Sequence, residues 1–193
     1  MPPEVAGILT RAEAGATLAA IASAQQADGC VPAAGDGTAD PWNHLEAAMA
    51  LDAGGARAEA ERAYAWLLDS QREDGSWAIS YRAGEVLDAG ADANFCAYVA
   101  TGAWHHFLAS DDAGFLADLW IAVERAIEFA LALQAPGGEV LWARDAGGRA
   151  WPGALLASSS CIHLSLACAL SAARRLGRER PRWESARARL GQA

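Results

Sequence analysis

The sequence repeats one short theme, and this repetition limits the folds that are open to it. Between Arg62 and Trp77 the chain reads R-A-x-x-W-L-x-x-x-Q-x-x-x-G-x-W. A later copy keeps Arg125-Ala126, Phe129-Ala130, Gln134, Gly138 and a displaced Trp142, and an earlier, eroded copy keeps Gln25, Asp28, Gly29 and Cys30. One repeat cannot bury its own apolar face, so the chain must fold as an assembly of stacked units.

The repeat predicts a helix followed by a link to the next helix. Residues 57–71 carry apolar or small side chains at helical spacing with charges between them, which indicates an amphipathic helix that ends before Gly75. Gln71, in the last turn, can hydrogen-bond backbone groups of the turn or of the next helix, while Trp77 covers apolar surface beside it. We therefore interpret the repeat as a structural fastener between neighbouring helices.

The pattern over residues 62–77 resembles the glutamine-tryptophan repeat of squalene-hopene cyclases and of the wider prenyltransferase and squalene oxidase repeat group. The resemblance implies a toroid of alternating inner and outer helices. It also implies a prenyltransferase-like or terpenoid-cyclase-like enzyme that acts on or binds an isoprenoid. Cyclases of this kind protonate an alkene with an acidic D-x-D-D cluster, which the related segment 88–94 lacks. Cyclisation by that acid is therefore not expected.

Charged and uncharged helical segments alternate along the chain, as such a toroid requires. The mixed segments, predicted to be outer helices, are 5–26, 57–71, 113–134 and a last helix after Pro181. The segments with few or no charges, predicted to be inner helices, are 40–53, 93–110 and 150–173. We expect an all-α, incomplete (α/α) toroid of about seven helices, forming one domain over residues 1–193.

An incomplete toroid has consequences for partners. Its inner wall is open, and an exposed apolar wall is a surface for self-association. We therefore expect a homodimer or the N-terminal part of a larger barrel, with the open face supplied by residues 40–53 and 154–173. Residues 150–173 are long enough to span a bilayer, but five serines, Pro152 and His163 favour a buried inner helix over a transmembrane one.

The charge balance excludes one class of partner. The formal net charge is −9, so the chain is not expected to bind nucleic acid, whose phosphates need broad neutralisation. Seven of the 15 arginines lie between Arg174 and Arg189, which indicates a solvated face or a patch for an anionic partner. The N-terminus shows no export signal, and this predicts a cytoplasmic protein.

Polar residues precede or open all three inner helices, at the place where the mouth of a toroid lies. Helix capping is one explanation of Asp40, Asp92 and Ser158, and a functional place at the mouth is the other. Glu46 lies inside an apolar helix, where a buried carboxylate must be paired, hydrogen-bonded or functional, and we expect it to act as a general acid. The candidate catalytic residues are Glu46, Asp92 and His163, and the candidate substrate-binding residues are Asp40, Trp42, Asn43, His44, Asn94, Tyr98 and Trp151.

One metal site follows from the first resemblance. Asp28-Gly29-Cys30 has the spacing of two zinc ligands in protein prenyltransferase β subunits, and His163 lies in a serine- and alanine-rich helix like the one that carries that family's histidine. Zn²⁺, or Mg²⁺ in its place, would be held by Asp28, Cys30 and His163. One thiolate with one carboxylate is a thin zinc signature, and the Asp-Gly pair belongs to the repeat, so we expect no metal and no other cofactor.

A second resemblance competes with the first. Residues 105–129, H-H-F-L-A-S-D-D followed by spaced Phe-Leu, Trp, Val, Ala and Phe, look like the Y-x-x-x-T-G-D-x-x-F-L-x-x-x-W-x-x-V-x-x-A-x-x-F pattern of six-hairpin glycosidases. Those enzymes share the alternating-helix barrel and use two carboxylates across a sugar bond, for which Glu46 and Asp92 are the candidates. The sugar-stacking platforms would be Trp42, Trp151 and Tyr98.

Three functions therefore remain open at this point. The strict repeat favours an isoprenoid enzyme, which is the expectation. The polar mouth favours a carbohydrate-active or carbohydrate-binding protein, which is the first alternative. The second alternative is a non-catalytic helical binding or assembly module, whose open concave wall would hold a partner helix or an acyl chain.

Overall fold

A computed structural model describes residues 3–193 of the chain. The helices are α1 (Arg11–Ala24), α2 (Pro41–Gly54), α3 (Arg57–Ser70), α4 (Ala93–Ser110), α5 (Ala113–Ala132), α6 (Leu156–Arg175) and α7 (Pro181–Leu190). The short strands are β1 (Thr38–Ala39), β2 (Ser80–Arg82), β3 (Glu85–Asp88), β4 (Ala91–Asp92) and β5 (Ala143–Arg144). The seven helices in the described residues confirm the expected all-α, incomplete (α/α) toroid.

The helices form an inner and an outer row. α4, whose sequence contains no acidic or basic residue apart from two histidines, packs against α2, α5 and α6 and buries side chains around most of its circumference. α2 and α6 flank it in the inner row, and α1, α3, α5 and α7 form the outer row. An uncharged helix is stable there because apolar neighbours cover almost all of its surface.

The strands lie at the N-terminal ends of the inner helices. β1, β2 and β3 form an antiparallel sheet in which β2 is central. β4 leads directly into α4 and pairs with β5, with Asp92 opposite Ala143. These short pairings hold the loops that surround the mouth of the toroid.

The third inner helix begins later than its composition predicts. α6 starts at Leu156 and not near residue 150, because the preceding residues are used by a loop. There the backbone N–H of Trp151 donates to the carbonyl of Ala143 at 2.9 Å, and Gly153 has a positive φ of 106°. A helix cannot include that conformation, so the loop continues to Leu155.

The repeat fastens each outer helix to the next one. Gln71 follows α3, and its Nε2 donates to the carbonyl of Gly75 at 3.1 Å and to that of Ala122 in α5 at 2.9 Å. The other two copies repeat this geometry: Gln25 binds Gly29 and Glu59, and Gln134 binds Gly138 and Ala186. The fastener predicted from the sequence is confirmed, and it operates along the whole outer row.

The glycine of each repeat lets the two backbones meet. Gly75 has a positive φ of 85°, and a Cβ added there would lie 2.3 Å from the carbonyl oxygen of Arg125 in α5. The tryptophan of the complete repeat is also part of this joint. Trp77 is 1% exposed, and its indole Nε1 donates to the carbonyl of Leu67 at 3.0 Å.

Among residues 3–193, one helix, Leu156–Arg175, is long and apolar enough to cross a membrane by length and composition alone. In its most apolar window 44% of the residues are buried inside the protein, and the core helix of a globular domain meets the same criterion. The part of this helix that is not buried includes the exposed side chains of Leu156 and Leu164.

Candidate active site

Equivalent positions on the three inner helices meet at one mouth. Glu46, Tyr98 and Cys161 are each the sixth residue after the N-cap of α2, α4 and α6. The Tyr98 hydroxyl donates to Glu46 Oε1 at 2.5 Å. Burial raises the pKa of the Cys161 thiol to about 11, and the negative charges of Glu46 and Asp92 add to this shift. Glu46, Asp92, Tyr98 and Cys161 therefore converge, although they span three helices.

Two pairs of aromatic rings flank this mouth. The Trp42 ring stacks on the Tyr98 ring, with centroids 4.0 Å apart and planes inclined by 12°. Trp142 and Trp151 form the second pair, with centroids 5.8 Å apart, and the carbonyl of Trp142 accepts from the N–H of Ala93 at the start of α4. Trp151 is 50% exposed, so its ring can meet a ligand without a change in the core.

Asp92 combines a structural and a chemical property. Its carboxylate caps α4 by accepting from the N–H groups of Asn94 at 2.7 Å and Phe95 at 3.1 Å. Burial nevertheless raises the pKa of Asp92, against the opposite effect of these two hydrogen bonds. A carboxyl group that keeps its proton to a higher pH is suited to donate that proton, as a general acid does.

Capping also accounts for the polar start of α2. Asp40 accepts from the Asn43 N–H at 2.9 Å through Oδ1 and from Asn43 Nδ2 at 2.8 Å through Oδ2. Asn94, the second residue of α4, has a buried Oδ1 with no hydrogen-bond partner in the described part of the chain. Asp40 and Asn94 thus stand at the same end of the inner row as Glu46 and Asp92.

The expectation that Glu46 is buried is wrong. Glu46 is exposed, because it lies on the concave face of the row and no further inner helix closes over that face among residues 3–193. Burial and the hydrogen bond to Glu46 raise the pKa of its partner Tyr98, whose neutral hydroxyl is the donor. Asp92 is the carboxyl group at this mouth whose pKa burial raises.

His44 is a structural residue and not a substrate ligand. It is fully buried, its Nδ1 accepts from the Val31 N–H at 3.0 Å, and its Nε2 lies 2.9 Å from the carbonyl of Ala63. Burial lowers the pKa of His44 to about 4, so the ring is neutral at neutral pH and Nε2 carries the proton. Cys96 has the same place in α4 and accepts from the Trp77 N–H at 3.5 Å.

His163 does not join the other candidates. It lies two residues after Cys161, which places it about 200° around the helix, on the side that faces α7. There the Arg187 guanidinium donates to the carbonyl of His163, and the ring lines a cavity of about 570 Å³ with Leu190 and Gly191. The expectation that His163 shares the mouth with Glu46 and Asp92 is therefore wrong, and a catalytic role for His163 stays a prediction.

The zinc or magnesium alternative finds no site in residues 3–193, where no three His, Cys, Asp or Glu side chains are grouped to hold a metal ion. Asp28 Oδ1 instead accepts from the backbone N–H of Cys30 at 3.0 Å, as the repeat requires. Burial raises the pKa of Cys30 to about 12, which disfavours the thiolate that a metal needs. His163 lies against α7, on another face of the fold.

A second polar cluster lies at the opposite end of the inner helices and was not predicted as such. The carboxylate of Asp52 is 2% exposed and lies 2.9 Å from His106 Nδ1 and 3.7 Å from His105 Nδ1. Burial opposes ionisation of Asp52, but the hydrogen-bonding and electrostatic contributions of His105 and His106 together lower its pKa. Tyr64 donates to the carbonyl of Gly102 at 2.8 Å beside this cluster. The cluster joins α2 to α4.

With this geometry in place, comparison with known proteins gives one relative and a consistent set of folds. No known family profile matches the chain. The chain is 46% identical over 191 residues to the MMP endo-(1,4)-3-O-methyl-alpha-D-mannosidase of Mycolicibacterium hassiacum, a match that covers 99% of this chain and 53% of that enzyme. The chain thus spans about half the length of the curated relative it matches.

Solved structures with the same fold are sugar enzymes. An unsaturated glucuronyl hydrolase specific for heparin matches with a TM-score of 0.68 and 13% identity, over 92% of this chain and 53% of that one. The unsaturated glucuronyl hydrolase of Bacillus sp. GL1 gives 0.67 and 19%, over 93% and 54%. A D-mannose isomerase gives 0.62 and 13%, over 91% and 51%. At these identities the likeness establishes the fold.

These comparisons contradict the isoprenoid expectation. The relative is a mannosidase, and the three structures above are enzymes named for sugars, not prenyltransferases or terpenoid cyclases. The repeat that suggested an isoprenoid enzyme is a fastener between outer helices. Such a contact indicates how the helices are joined but not which ligand the cavity binds. The weaker resemblance, to six-hairpin glycosidases, is the one that the comparisons support.

Proposed function

We propose that this chain forms part of the substrate groove of a carbohydrate-active enzyme that hydrolyses α-mannosidic bonds between O-methylated mannose units. The observation that carries the proposal is the 46% identity to an endo-3-O-methyl-mannosidase, which extends over 99% of the chain and so runs through the mouth. Two features of that mouth support the proposal: aromatic rings on which sugar rings can pack, and a pair of carboxylates.

The aromatic pairs supply the surface. Sugar rings present C–H faces that pack on aromatic side chains, and methyl ethers enlarge the apolar part of those faces. Trp151, which is half exposed, and Trp42, whose ring is stacked on Tyr98, stand on either side of the start of α4. A methylated oligosaccharide could therefore cross Asp92 while its rings rest on these two tryptophans.

The carboxylates supply the chemistry. Glycoside hydrolysis uses one protonated carboxyl group to protonate the leaving oxygen and one carboxylate to act as base or nucleophile. The raised pKa of Asp92 fits the acid. Glu46, exposed on the concave face and held by the Tyr98 hydroxyl, fits the second role, and Asp40 is a further carboxylate at the same rim. Asn94, with its unpaired Oδ1, is placed to bind a sugar hydroxyl after a small rearrangement.

Asp92→Asn tests the chemistry without removing the helix cap, because asparagine caps helices as well as aspartate does. We expect the variant to bind methylated mannose oligosaccharides as the wild type does, by calorimetry. Its release of shorter oligosaccharides, followed by chromatography, should fall by about 10²–10⁴-fold because the general acid is lost.

Asp112→Asn is the matched control. Asp112 caps α5 by accepting from Phe115 N–H at 2.9 Å, beyond the far end of α4. Hydrolysis by this variant should equal that of the wild type. Wild-type protein that fails to bind the methylated oligosaccharide, or an Asp92→Asn variant that hydrolyses it at the wild-type rate, would contradict the proposal. Binding with no hydrolysis by the wild type would restrict the function to carbohydrate recognition.

A further inference from the structure

The inner helices contact one another by a rule that repeats along the row. Leu45, the fifth residue of α2, lies against Gly102, the tenth residue of α4, where an added Cβ would come within 2.6 Å of the leucine side chain. Thr101, the ninth residue of α4, has its hydroxyl 3.1 Å from that of Ser165, the tenth residue of α6. In both interfaces, a fifth or ninth residue of one inner helix therefore contacts the small tenth residue of the next.

On α6 the same stripe is exposed in the structure of residues 3–193. The corresponding first, fifth and ninth residues of α6 are Leu156, Ser160 and Leu164. Leu156 is 85% exposed, Leu164 is 52% exposed and Ser160 is exposed as well, whereas the corresponding positions of α4 are covered: Ala93 and Ala97 are fully buried and Thr101 is half-buried. A leucine stripe at a position that is covered elsewhere in the row indicates a surface that is covered in the working protein.

We propose that this stripe on α6 docks a further inner helix, uncharged and with a small residue at its tenth position, followed by an outer helix that packs against α7. The interface continues the two internal interfaces just described. The lengths of the compared proteins agree with this proposal. In the mannosidase and in all three solved structures, the part that this chain does not match is about as long as the part that it matches. The occupant is therefore a helical half-toroid that lies outside residues 1–193.

A second copy of this chain fits the stripe less well. Its α2 would have to continue the inner row beside α6. The α1 of that copy belongs to its outer row. There a glutamine joins α1 to α3 through a backbone carbonyl, and an equivalent glutamine joins α5 to α7. With α2 beside α6, this α1 would occupy the place in the outer row where α7 already lies. The occupant must instead begin with an inner helix.

The part of the Mycolicibacterium mannosidase that has no counterpart in this chain is the probe. We expect this polypeptide, co-expressed with a tagged full-length chain, to co-purify with it as a complex of one copy of each, with the mass measured by light scattering. Leu164→Arg should lower the yield of the complex at least tenfold. Ile121→Arg is the matched control, because Ile121 is 63% exposed on the outer helix α5 and should leave the yield unchanged.

Both substitutions replace exposed leucine or isoleucine side chains, so both variants should fold, and their melting curves verify this. If the probe is insoluble by itself, joining it to this chain as one polypeptide gives a second measurement. There Leu164→Arg should lower the melting temperature of the joined protein but not that of the chain alone. A homodimer that Leu164→Arg dissociates, equal effects of the two substitutions, or a joined protein whose parts unfold independently would each overturn the proposal.

Discussion

Replacing Gly75 with alanine tests the joint between outer helices most directly. Gly75 has a positive φ of 85°, and its added Cβ would lie 2.3 Å from the carbonyl oxygen of Arg125, where ordinary contact begins at 3.4 Å. Gly84 is a matched control, because its φ is 79° and no atom lies within 4 Å of its added Cβ. The two substitutions share the backbone strain, and only Gly75→Ala adds a collision with α5.

The expected magnitudes follow from three contributions. A left-handed conformation costs a residue with a Cβ roughly 1–2 kcal/mol, and this is all that Gly84→Ala should lose. To relieve the collision α5 must retreat by about 1 Å, which forces overpacking that costs about 1–3 kcal/mol. The retreat also breaks the 2.9 Å hydrogen bond from Gln71 to Ala122, a further loss of about 1 kcal/mol. Gly75→Ala should therefore cost about 3–6 kcal/mol.

Urea unfolding of both variants, fitted with a linear dependence of free energy on urea concentration, measures the difference. We expect Gly75→Ala to be less stable than Gly84→Ala by at least about 2 kcal/mol. Adding Gln71→Ala should then cost less in the Gly75→Ala background than in the wild type, because the hydrogen bond is already lost. Equal stabilities of the two glycine variants would refute the reasoning that the repeat is a joint under close contact.

Two further predictions concern stability. Trp77→Ala should lower the free energy of unfolding by about 3–5 kcal/mol because the ring is buried, whereas Trp151→Ala, at a half-exposed ring, should change it by less than about 0.5 kcal/mol; denaturant unfolding measures both. The lowered pKa of Asp52 in the folded protein means that its charge stabilises the fold above the unfolded value near pH 4. That stability is lost as the pH falls through the lowered folded value. Asp52→Asn should therefore destabilise the protein more at pH 7 than at pH 3, and equal losses at the two pH values would argue against stabilisation by the Asp52 charge.

The fold could be predicted from the sequence because its signals are local and repeated. The alternation of charged and uncharged segments predicts α4 to the residue and α2 to within one residue of each end. The start of α6 could not be predicted in the same way. The loop before it is determined by β4 and β5, a pairing of residues about fifty positions apart that leaves no periodic signal.

The candidate site was predictable in part, and the errors have one physical origin. Composition indicates how polar a helix is but not which way each side chain points. Helix register decides that Glu46, Tyr98 and Cys161 share the mouth while His163, only two residues beyond Cys161, faces α7. For the same reason His44 was predicted at the rim. Its ring instead lies in the core, where it hydrogen-bonds the backbone of Val31 and of Ala63. Counting from the N-caps of the three inner helices would have separated these cases.

The failure of the isoprenoid expectation follows from where the repeat acts. Gln71 and Gly75 hold the outer row together, away from the concave face on which Glu46 lies. Because these residues join outer helices only, they determine the toroid fold. They do not determine which side chains line the inner wall or which ligand that wall binds. The lining itself argues for sugar, because its polar groups are spaced along one rim beside aromatic faces. The incomplete inner row also accounts for the exposure of Glu46. The helices that would cover this carboxylate are the ones proposed to dock beside α6. If those helices dock as proposed, the mouth becomes a closed groove in which Glu46 loses its contact with solvent.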